Sequence, residues 1–318
     1  MNRTPGKLQG FGHPRLLPTS RVITRRAFFK AAAVGASGCA LASPAASPLS
    51  AAGPDTVRDR LWIFTCAANS DYLHLRRRSV MTPVEGAFFL GVPNIIVVQS
   101  SAQEAPHGRL TPPFAQYLVA MRPLKRIVWS VVGSGGFHSP EETKEVLDLA
   151  RTTHNFAGIM LDDFFTGDKE GRRAQLTVPD LAEIRRQLRQ GGRSLDIFVT
   201  LYTDKLNLPI SDYLELVDVI TLWTGDRAEL VNLEANLRKA EAAAPKARKM
   251  LGCYVVDYGR KEGTPVALMQ RQCETGLRWL KERRIEGIIF LGNTTMDLGF
   301  PSVDWTREWI QKVGQTQL

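Results

Sequence analysis

The chain has 318 residues and a formal net charge of +9, from 41 basic and 32 acidic residues. Seven of the basic residues and none of the acidic ones lie in residues 1–54, so the remainder carries a formal charge of only +2. A nucleic-acid-binding surface concentrates Lys and Arg on one face or element. The near-neutral remainder therefore gives no indication of a nucleic-acid partner.

Residues 1–52 have the pattern of an export signal and linker. Basic residues precede a short stretch rich in Ala, Gly and Ser, and small residues at 40–42 and 50–52 suit a signal peptidase. The segment TRRAFFK at 24–30 resembles the twin-arginine signal family. The resemblance implies export in folded form by the Tat translocase, to the periplasm or the extracellular space. The apolar stretch is shorter than the ~20 residues of a spanning helix, so no stable membrane span is expected after cleavage.

Residues 53–318 alternate between two hydrophobic patterns. Short β-branched runs predict buried strands, and longer stretches with a 3.6-residue period predict helices. The predicted strands are 61–68, 94–99, 126–132, 157–163, 195–202, 217–223, 250–257 and 287–291. The predicted helices are 84–90, 113–121, 139–153, 178–190, 211–216, 228–243, 264–283 and 302–313.

Eight strand–helix units predict an α/β fold, a single (β/α)8 TIM barrel over residues 53–318. The length is close to the ~250 residues typical of that fold. A doubly wound open sheet is the competing architecture, but no phosphate-binding Gly loop follows the first predicted strand. Cys66, Cys253 and Cys273 remain after the signal, and we interpret them as small core residues, with one disulfide left open.

Polar and aromatic residues collect where the predicted strands end, which is the face that carries the active site in TIM barrels. The residues at these positions are Asn69, Ser70, Gln99, Ser134, His138, Asp162, Asp163, Tyr202, Asp204, Trp223, Asp226, Asp257, Tyr258 and Asn293. The strand beginnings carry fewer such residues. We therefore expect the functional site at the carboxyl ends of the strands.

Asp162 and Asp163 are the sharpest feature of this face. An apolar strand runs directly into two adjacent carboxylates. Since side chains alternate along a strand, one is expected to point toward the barrel mouth and the other toward the rim. Two nearby carboxylates repel, which can raise one pKa and leave one acid and one base.

Asp257, at the end of the seventh predicted strand, is the expected partner of these aspartates. Acids on strands four and seven resemble a clan of glycoside hydrolase barrels with an acid/base on strand four and a nucleophile on strand seven. The resemblance implies Asp162, Asp163 and Asp257 as catalytic residues. That clan uses glutamates where this chain has aspartates, so the carboxylate separation, ~5–5.5 Å for retention and ~6.5–9.5 Å for inversion, stays open.

Two further glycosidase patterns are partly matched. Strand four is similar to a chitinase-type signature at Gly158 and Asp162, but Met160 and Phe164 stand where that family has acids. Its substrate-assisted mechanism is therefore not carried over. An α-galactosidase-type barrel, with Asp on strands four and six, would instead make Asp226 the acid.

Aromatic residues at the strand ends suit a sugar ligand, because their rings stack on a pyranose face and their polar atoms meet its hydroxyl groups. The residues predicted to bind the substrate are Gln99, Tyr202, Asp204, Trp223, Asp226, Tyr258 and Asn293. The sequence thus favours an exported hydrolase acting on a polysaccharide or glycoconjugate, with no cofactor.

Two other functions stay open. His138, Asp162 and Asp257 would have to converge on one ion in a metal-dependent isomerase or hydrolase, although no H-x-H or H-E-x-x-H pattern is present. A barrel that binds carbohydrate without cleaving it would have the same aromatic residues at its mouth.

Overall fold

The computed structural model describes residues 55–70, 75, 77–169, 172–190 and 192–318. The predicted signal and linker at residues 1–52 lie outside the described residues, so export remains a prediction. The described residues form twelve strands: β1 (Leu61–Thr65), β2 (Asn94–Val97), β3 (Arg126–Val132), β4 (Phe156–Leu161), β5 (Phe165–Lys169), β6 (Arg172–Ala174), β7 (Asp196–Tyr202), β8 (Val219–Trp223), β9 (Arg248–Tyr254), β10 (Val256–Asp257), β11 (Glu262–Gly263) and β12 (Gly287–Leu291).

Eight of these strands close into a parallel barrel, in the order β1-β12-β9-β8-β7-β4-β3-β2. The helices around it are α1 (Pro83–Leu90), α2 (Ala115–Met121), α3 (Pro140–Thr152), α4 (Val178–Arg189), α5 (Ser211–Leu214), α6 (Leu233–Ala243), α7 (Val266–Lys281), α8 (Asn293–Met296) and α9 (Pro301–Val313). This architecture confirms the predicted (β/α)8 barrel.

Local signals in the sequence explain where several helices begin. Thr82 caps α1 by accepting from the Glu85 N–H at 3.3 Å, while the Glu85 carboxylate accepts from the Thr82 N–H at 2.8 Å. Thr177 and Asp180 form the same reciprocal pair at the start of α4. Such capping boxes satisfy N–H groups that a helix leaves unpaired, so they place the helix starts at defined points after the loops.

The core has two layers, because side chains alternate along each barrel strand. The outer layer packs the strands against the helices, and Leu61 and Ile63 belong to it. The inner layer fills the barrel with residues such as Trp62, Phe64 and Met160. The barrel interior is therefore packed and leaves its carboxyl end for ligands.

Two hairpins lie after barrel strands, where the sequence predicted other structure. β5 and β6 pair within the segment predicted as the loop after strand four. The predicted seventh strand continued to Asp257, but β9 ends at Tyr254 and Asp257 lies in β10, paired with β11. The Lys261 N–H donates to the Asp257 carbonyl at 2.8 Å and closes this hairpin. Asp257 therefore lies outside the barrel strands.

Cys66, Cys253 and Cys273 are buried, and within the described residues none of the three forms a disulfide. The interpretation of these cysteines as core residues agrees with this burial, and burial raises the pKa of the Cys273 thiol well above its ordinary value. Across the part of the chain that the structure describes, no helix is long and apolar enough to cross a membrane.

Candidate active site

A cavity of about 290 Å³ opens at the carboxyl end of the barrel. Its lining comprises Phe64, Glu104, Ser134, Asp162, Asp163, Thr200, Tyr202, Trp223, Gly225, Tyr254, Tyr258 and Leu291. A larger depression of about 780 Å³ lies among Arg60, Arg248, Lys249 and Glu286, where β1, β9 and β12 begin. Because TIM-barrel enzymes place their chemistry at the carboxyl ends of the strands, the smaller cavity is the candidate active site.

Asp162 is a buried acid directly after β4. Its side chain accepts hydrogen bonds from the Thr200 hydroxyl at 2.8 Å and from the Asp163 backbone N–H. Burial, followed by the charges of Asp163 and Glu104, raises the pKa of Asp162 well above its ordinary value. The raised pKa favours the protonated form of Asp162, which makes this side chain the candidate proton donor of the two aspartates.

Asp163 lines the same cavity, whereas strand alternation predicted that one of the two aspartates would face the rim. The reason is local: β4 ends at Leu161, and Asp163 has φ 44°, in the left-handed region. The chain thus turns before alternation can send the second side chain away. The Asp163 carboxylate accepts from the Gly135 N–H at 2.8 Å and from the Tyr202 hydroxyl at 2.6 Å.

Glu104 is a third acid at the cavity, and the sequence analysis did not select it. It lies in the segment between β2 and α2, where its carboxylate accepts from the Ser134 hydroxyl at 2.9 Å. Ser134 precedes Gly135, so one turn after β3 holds both Glu104 and Asp163. The sequence feature that could have identified Glu104 is its position in the long loop at 99–113, which follows a predicted strand on the expected site face.

Aromatic side chains wall the cavity. The Trp223 indole is buried and donates from Nε1 to the Thr221 hydroxyl at 3.0 Å. Its ring lies 5.0 Å from that of Tyr254, which lies 5.1 Å from that of Tyr258. Burial raises the pKa of both Tyr202 and Tyr254, so their hydroxyl groups are neutral hydrogen-bond donors. Tyr254 was not selected from the sequence because it lies within a predicted strand rather than at its end.

Asp257 is not among the residues that line the cavity. Its carboxylate, 8% exposed, forms an ion pair with Arg227 at 3.1 Å and accepts from the Arg260 N–H at 3.1 Å. The β10–β11 hairpin carries Asp257 into these contacts. The structure thus does not bring Asp257 together with Asp162 and Asp163.

Two other predicted carboxylates also lie apart from the cavity lining. Asp226 is exposed and caps a helical turn by accepting from the Ala228 N–H at 2.8 Å. Asp204 is exposed in the short turn that follows β7. Neither position places a carboxylate beside Asp162.

Asn293 and Gln99 are buried rather than exposed to the cavity. The Asn293 side chain donates to the carbonyls of Cys66 at 2.9 Å and Met81 at 2.7 Å, and accepts from the Cys66 N–H at 2.9 Å. These contacts use both polar atoms of its amide to join β12 to the end of β1. The backbone carbonyl of Gln99 accepts from the Ser134 N–H at 2.8 Å and supports the turn after β3.

His138 lies in a groove between α3 and α4, beside Asp180, and not in the cavity. Burial lowers the pKa of its imidazole. Among the described residues, no group of three or more His, Cys, Asp or Glu side chains is placed to hold a metal ion. His138, Asp162 and Asp257, which a metal site would have required, are dispersed.

Solved structures similar to this chain include several glycoside hydrolases. A protein from Bacteroides thetaiotaomicron proposed to be an α-L-fucosidase has a TM-score of 0.52 and 12% identity, over 81% of this chain and 98% of that one. Active domain 2 of a thermostable chitinase from Pyrococcus furiosus has a TM-score of 0.51 and 13% identity, over 83% of this chain and 99% of that one. The PgaB (BpsB) glycoside hydrolase domain from Bordetella bronchiseptica has a TM-score of 0.50 and 10% identity, over 81% of this chain and 99% of that one.

No family model matches the chain, and no curated protein matches it. At 10–13% identity, the structural likeness establishes the fold and not the activity. The chain has the TIM-barrel architecture of these glycoside hydrolases, and its function has to be argued from its own cavity.

Proposed function

We propose that this protein is a glycoside hydrolase that cleaves its substrate by carboxylate acid–base catalysis at the carboxyl end of the barrel. The observation that carries the proposal is the buried Asp162, whose pKa is raised, next to Asp163 in a cavity lined by aromatic side chains. Glycoside hydrolysis requires an acid that is still protonated at the working pH, together with a second carboxylate.

Asp162 is the general acid of the proposed reaction. Its proton passes to the glycosidic oxygen as the bond from that oxygen to the anomeric carbon breaks. The Asp163 carboxylate, fixed by Gly135 and Tyr202, stabilises the positive charge that develops on the sugar. Water supplies the hydroxyl group of the new reducing end, and the proton that water releases balances the one that Asp162 gives to the leaving oxygen.

The cavity walls suit a sugar unit. Tyr202, Tyr254 and Tyr258 combine apolar ring faces with hydroxyl groups, which match the two kinds of surface on a pyranose. The volume of about 290 Å³ is at the lower bound of the ~300–1,000 Å³ typical of ligand sites, which favours one buried sugar over several. With the predicted Tat signal, the proposed substrate is a polysaccharide or glycoconjugate of the periplasm or the extracellular space.

The test is hydrolysis of a panel of glycans and aryl glycosides by the purified protein and two variants, Asp162→Asn and Asp163→Asn. We expect each variant to lose about 100-fold or more in kcat/KM, the range ascribed to a single acid–base group. Asp304→Asn is the matched control, because Asp304 is exposed on α9, outside the cavity.

Three outcomes would contradict the proposal. Full activity in Asp162→Asn would remove the acid from the mechanism. Glycan binding that persists in both variants, with no turnover in the wild type, would indicate a carbohydrate-binding barrel instead. Loss of activity with a chelator, restored by added divalent metal, would favour the metal-dependent alternative.

A further inference from the structure

We propose that Glu104 is the second catalytic carboxylate, acting on the sugar together with Asp162. This inference rests on the proposed glycosidase function and assigns the role that the sequence analysis gave to Asp257. Glu104 lines the cavity with Asp162 and Asp163, whereas Asp257 is paired with Arg227 away from it.

The placement of the three acids in the barrel supports this division of roles. Asp162 and Asp163 are consecutive, so their Cα atoms are only ~3.8 Å apart and both approach the cavity from the end of β4. Glu104 approaches from the loop after β2, and β3 lies between β2 and β4 in the barrel. Glu104 therefore reaches the cavity from a different segment than the two aspartates, which suits the two separate carboxyl groups that glycoside hydrolysis needs around one glycosidic bond.

The end of β3 holds Glu104 in this position. The Ser134 hydroxyl donates to Glu104 at 2.9 Å, and the next N–H in the chain, from Gly135, donates to Asp163 at 2.8 Å. A Cβ at Gly135 would lie 3.1 Å from the Glu104 carboxylate, so the glycine gives the acid room to sit against the turn. Glu104 and Asp163 are thus oriented by one rigid element, as a preorganised acid–base site requires.

Glu104 takes part directly in the bond changes of the proposed reaction. As the glycosidic bond breaks and Asp162 protonates the leaving oxygen, Glu104 either bonds to the anomeric carbon or takes a proton from the water that attacks it. In the first case water later displaces Glu104 from the sugar. In both cases the products are the leaving alcohol and a sugar with a free anomeric hydroxyl group.

Chemical rescue distinguishes a catalytic role of Glu104 from a purely structural one. We expect Glu104→Ala to lower turnover of an activated aryl glycoside by about 100-fold or more. Sodium azide should then restore turnover and yield a glycosyl azide, because azide fits the space left by the carboxylate and attacks the anomeric carbon itself. Glu104→Gln, which keeps an acceptor for Ser134, should be inactive while retaining the wild-type melting temperature.

The control is Glu308→Gln, which alters an exposed acid on α9 and should leave turnover unchanged. Wild-type turnover in Glu104→Gln, or loss of turnover in Glu104→Ala that azide does not restore, would overturn the assignment of Glu104. If Asp162→Asn is inactive on a glycan whose leaving oxygen needs protonation, the proposed function stands without this inference. If the wild type hydrolyses no glycoside, both fall together.

Discussion

The burial of Asp162 has a consequence for stability as well as for catalysis. Its ordinary pKa is 3.8, and burial together with the charge of Asp163 places its pKa well above that value in the folded protein. Between these two values the folded protein keeps a proton that the unfolded chain releases. Unfolding is therefore favoured as the pH rises from about 4, and Asp162 destabilises the protein at neutral pH.

Asp162→Asn should therefore raise the melting temperature at pH 7 more than at pH 4. Asparagine has nearly the shape of the neutral carboxylic acid and does not titrate, so it removes the pH-dependent cost. Each 1 kcal/mol gained would raise Tm by about 2–4 °C in a domain of this size. Thermal unfolding of both proteins at the two pH values measures the effect, with Asp304→Asn as the exposed control.

An equal change in Tm at pH 4 and pH 7 would mean that Asp162 titrates in the folded protein as it does in the unfolded chain. The proton that the proposed mechanism requires would then be missing. A stabilised but inactive variant would instead show that this position has been kept for chemistry at the expense of stability.

At the scale of elements, the aromatic wall depends on a glycine in the neighbouring strand. Trp223 in β8 is paired in register with Gly252 in β9. A Cβ added at Gly252 would lie 2.1 Å from Cδ2 of the Trp223 ring, far inside van der Waals contact. The close approach of the two strands at this point is what lets the indole pack beside Tyr254, with the two rings tilted by 53°.

Gly252→Ala should displace Trp223 and destabilise the protein by about 1–3 kcal/mol, the usual cost of overpacking a core. Chemical unfolding measures the loss, and a shift in tryptophan fluorescence would report the moved indole. Gly225→Ala is the control for stability, because a Cβ there meets no atom within 4 Å. Unchanged stability in Gly252→Ala would show that the β8–β9 contact is looser than the structure indicates.

At the scale of the whole molecule, the first and last strands must meet to close the barrel, and Asn293 lies at that closure. β1 pairs with β12, and Asn293, immediately after β12, hydrogen-bonds both polar backbone atoms of Cys66 after β1. Gly86 of α1 packs so closely on it that an added Cβ would lie 2.6 Å from the Asn293 Cβ. The amide thus joins two strands and a helix at the carboxyl end.

Asn293→Ala should destabilise the protein by about 2 kcal/mol, since it removes three hydrogen bonds between the Asn293 side chain and the backbone of Cys66 and Met81. Denaturant unfolding gives the free energy, and Asn232→Ala, at an exposed position, is the matched control. If Asn293 instead contacts the sugar, as its place after the last strand predicted, the variant would lose substrate affinity while its free energy of unfolding stayed unchanged.

The barrel itself could be predicted closely from the sequence. The predicted strands at 126–132 and 287–291 have the same bounds as β3 and β12. The main misplacement is at β9, where the apolar run continues through Val255 and Val256 although the strand ends at Tyr254. An apolar pattern records burial, and these two valines are buried in the turn and hairpin that follow the strand.

The candidate site could be predicted from the sequence less completely than the barrel. Asp162 and Asp163 follow an apolar run, so the pattern alone places them at the carboxyl end of the barrel, although alternation wrongly directed one of them to the rim. Glu104 lies in a loop whose sequence has no hydrophobic periodicity. Asp257 was predicted at the site because the apolar run before it continues past the end of the strand. Whether a loop carboxylate turns into the cavity or pairs with an arginine depends on contacts between segments far apart in the chain.

The sequence by itself determined the eightfold alternation of strands and helices, because burial periodicity is a local property of the chain. It also determined which face the site occupies, since parallel strands send all their carboxyl ends to one side. Only the tertiary structure decided which acids meet there: it gathers Glu104, Asp162 and Asp163 around one cavity and diverts Asp257 to Arg227. The physical reason is that burial and the contacts between segments far apart in the chain, which also raise the pKa of Asp162, exist only once the barrel has closed.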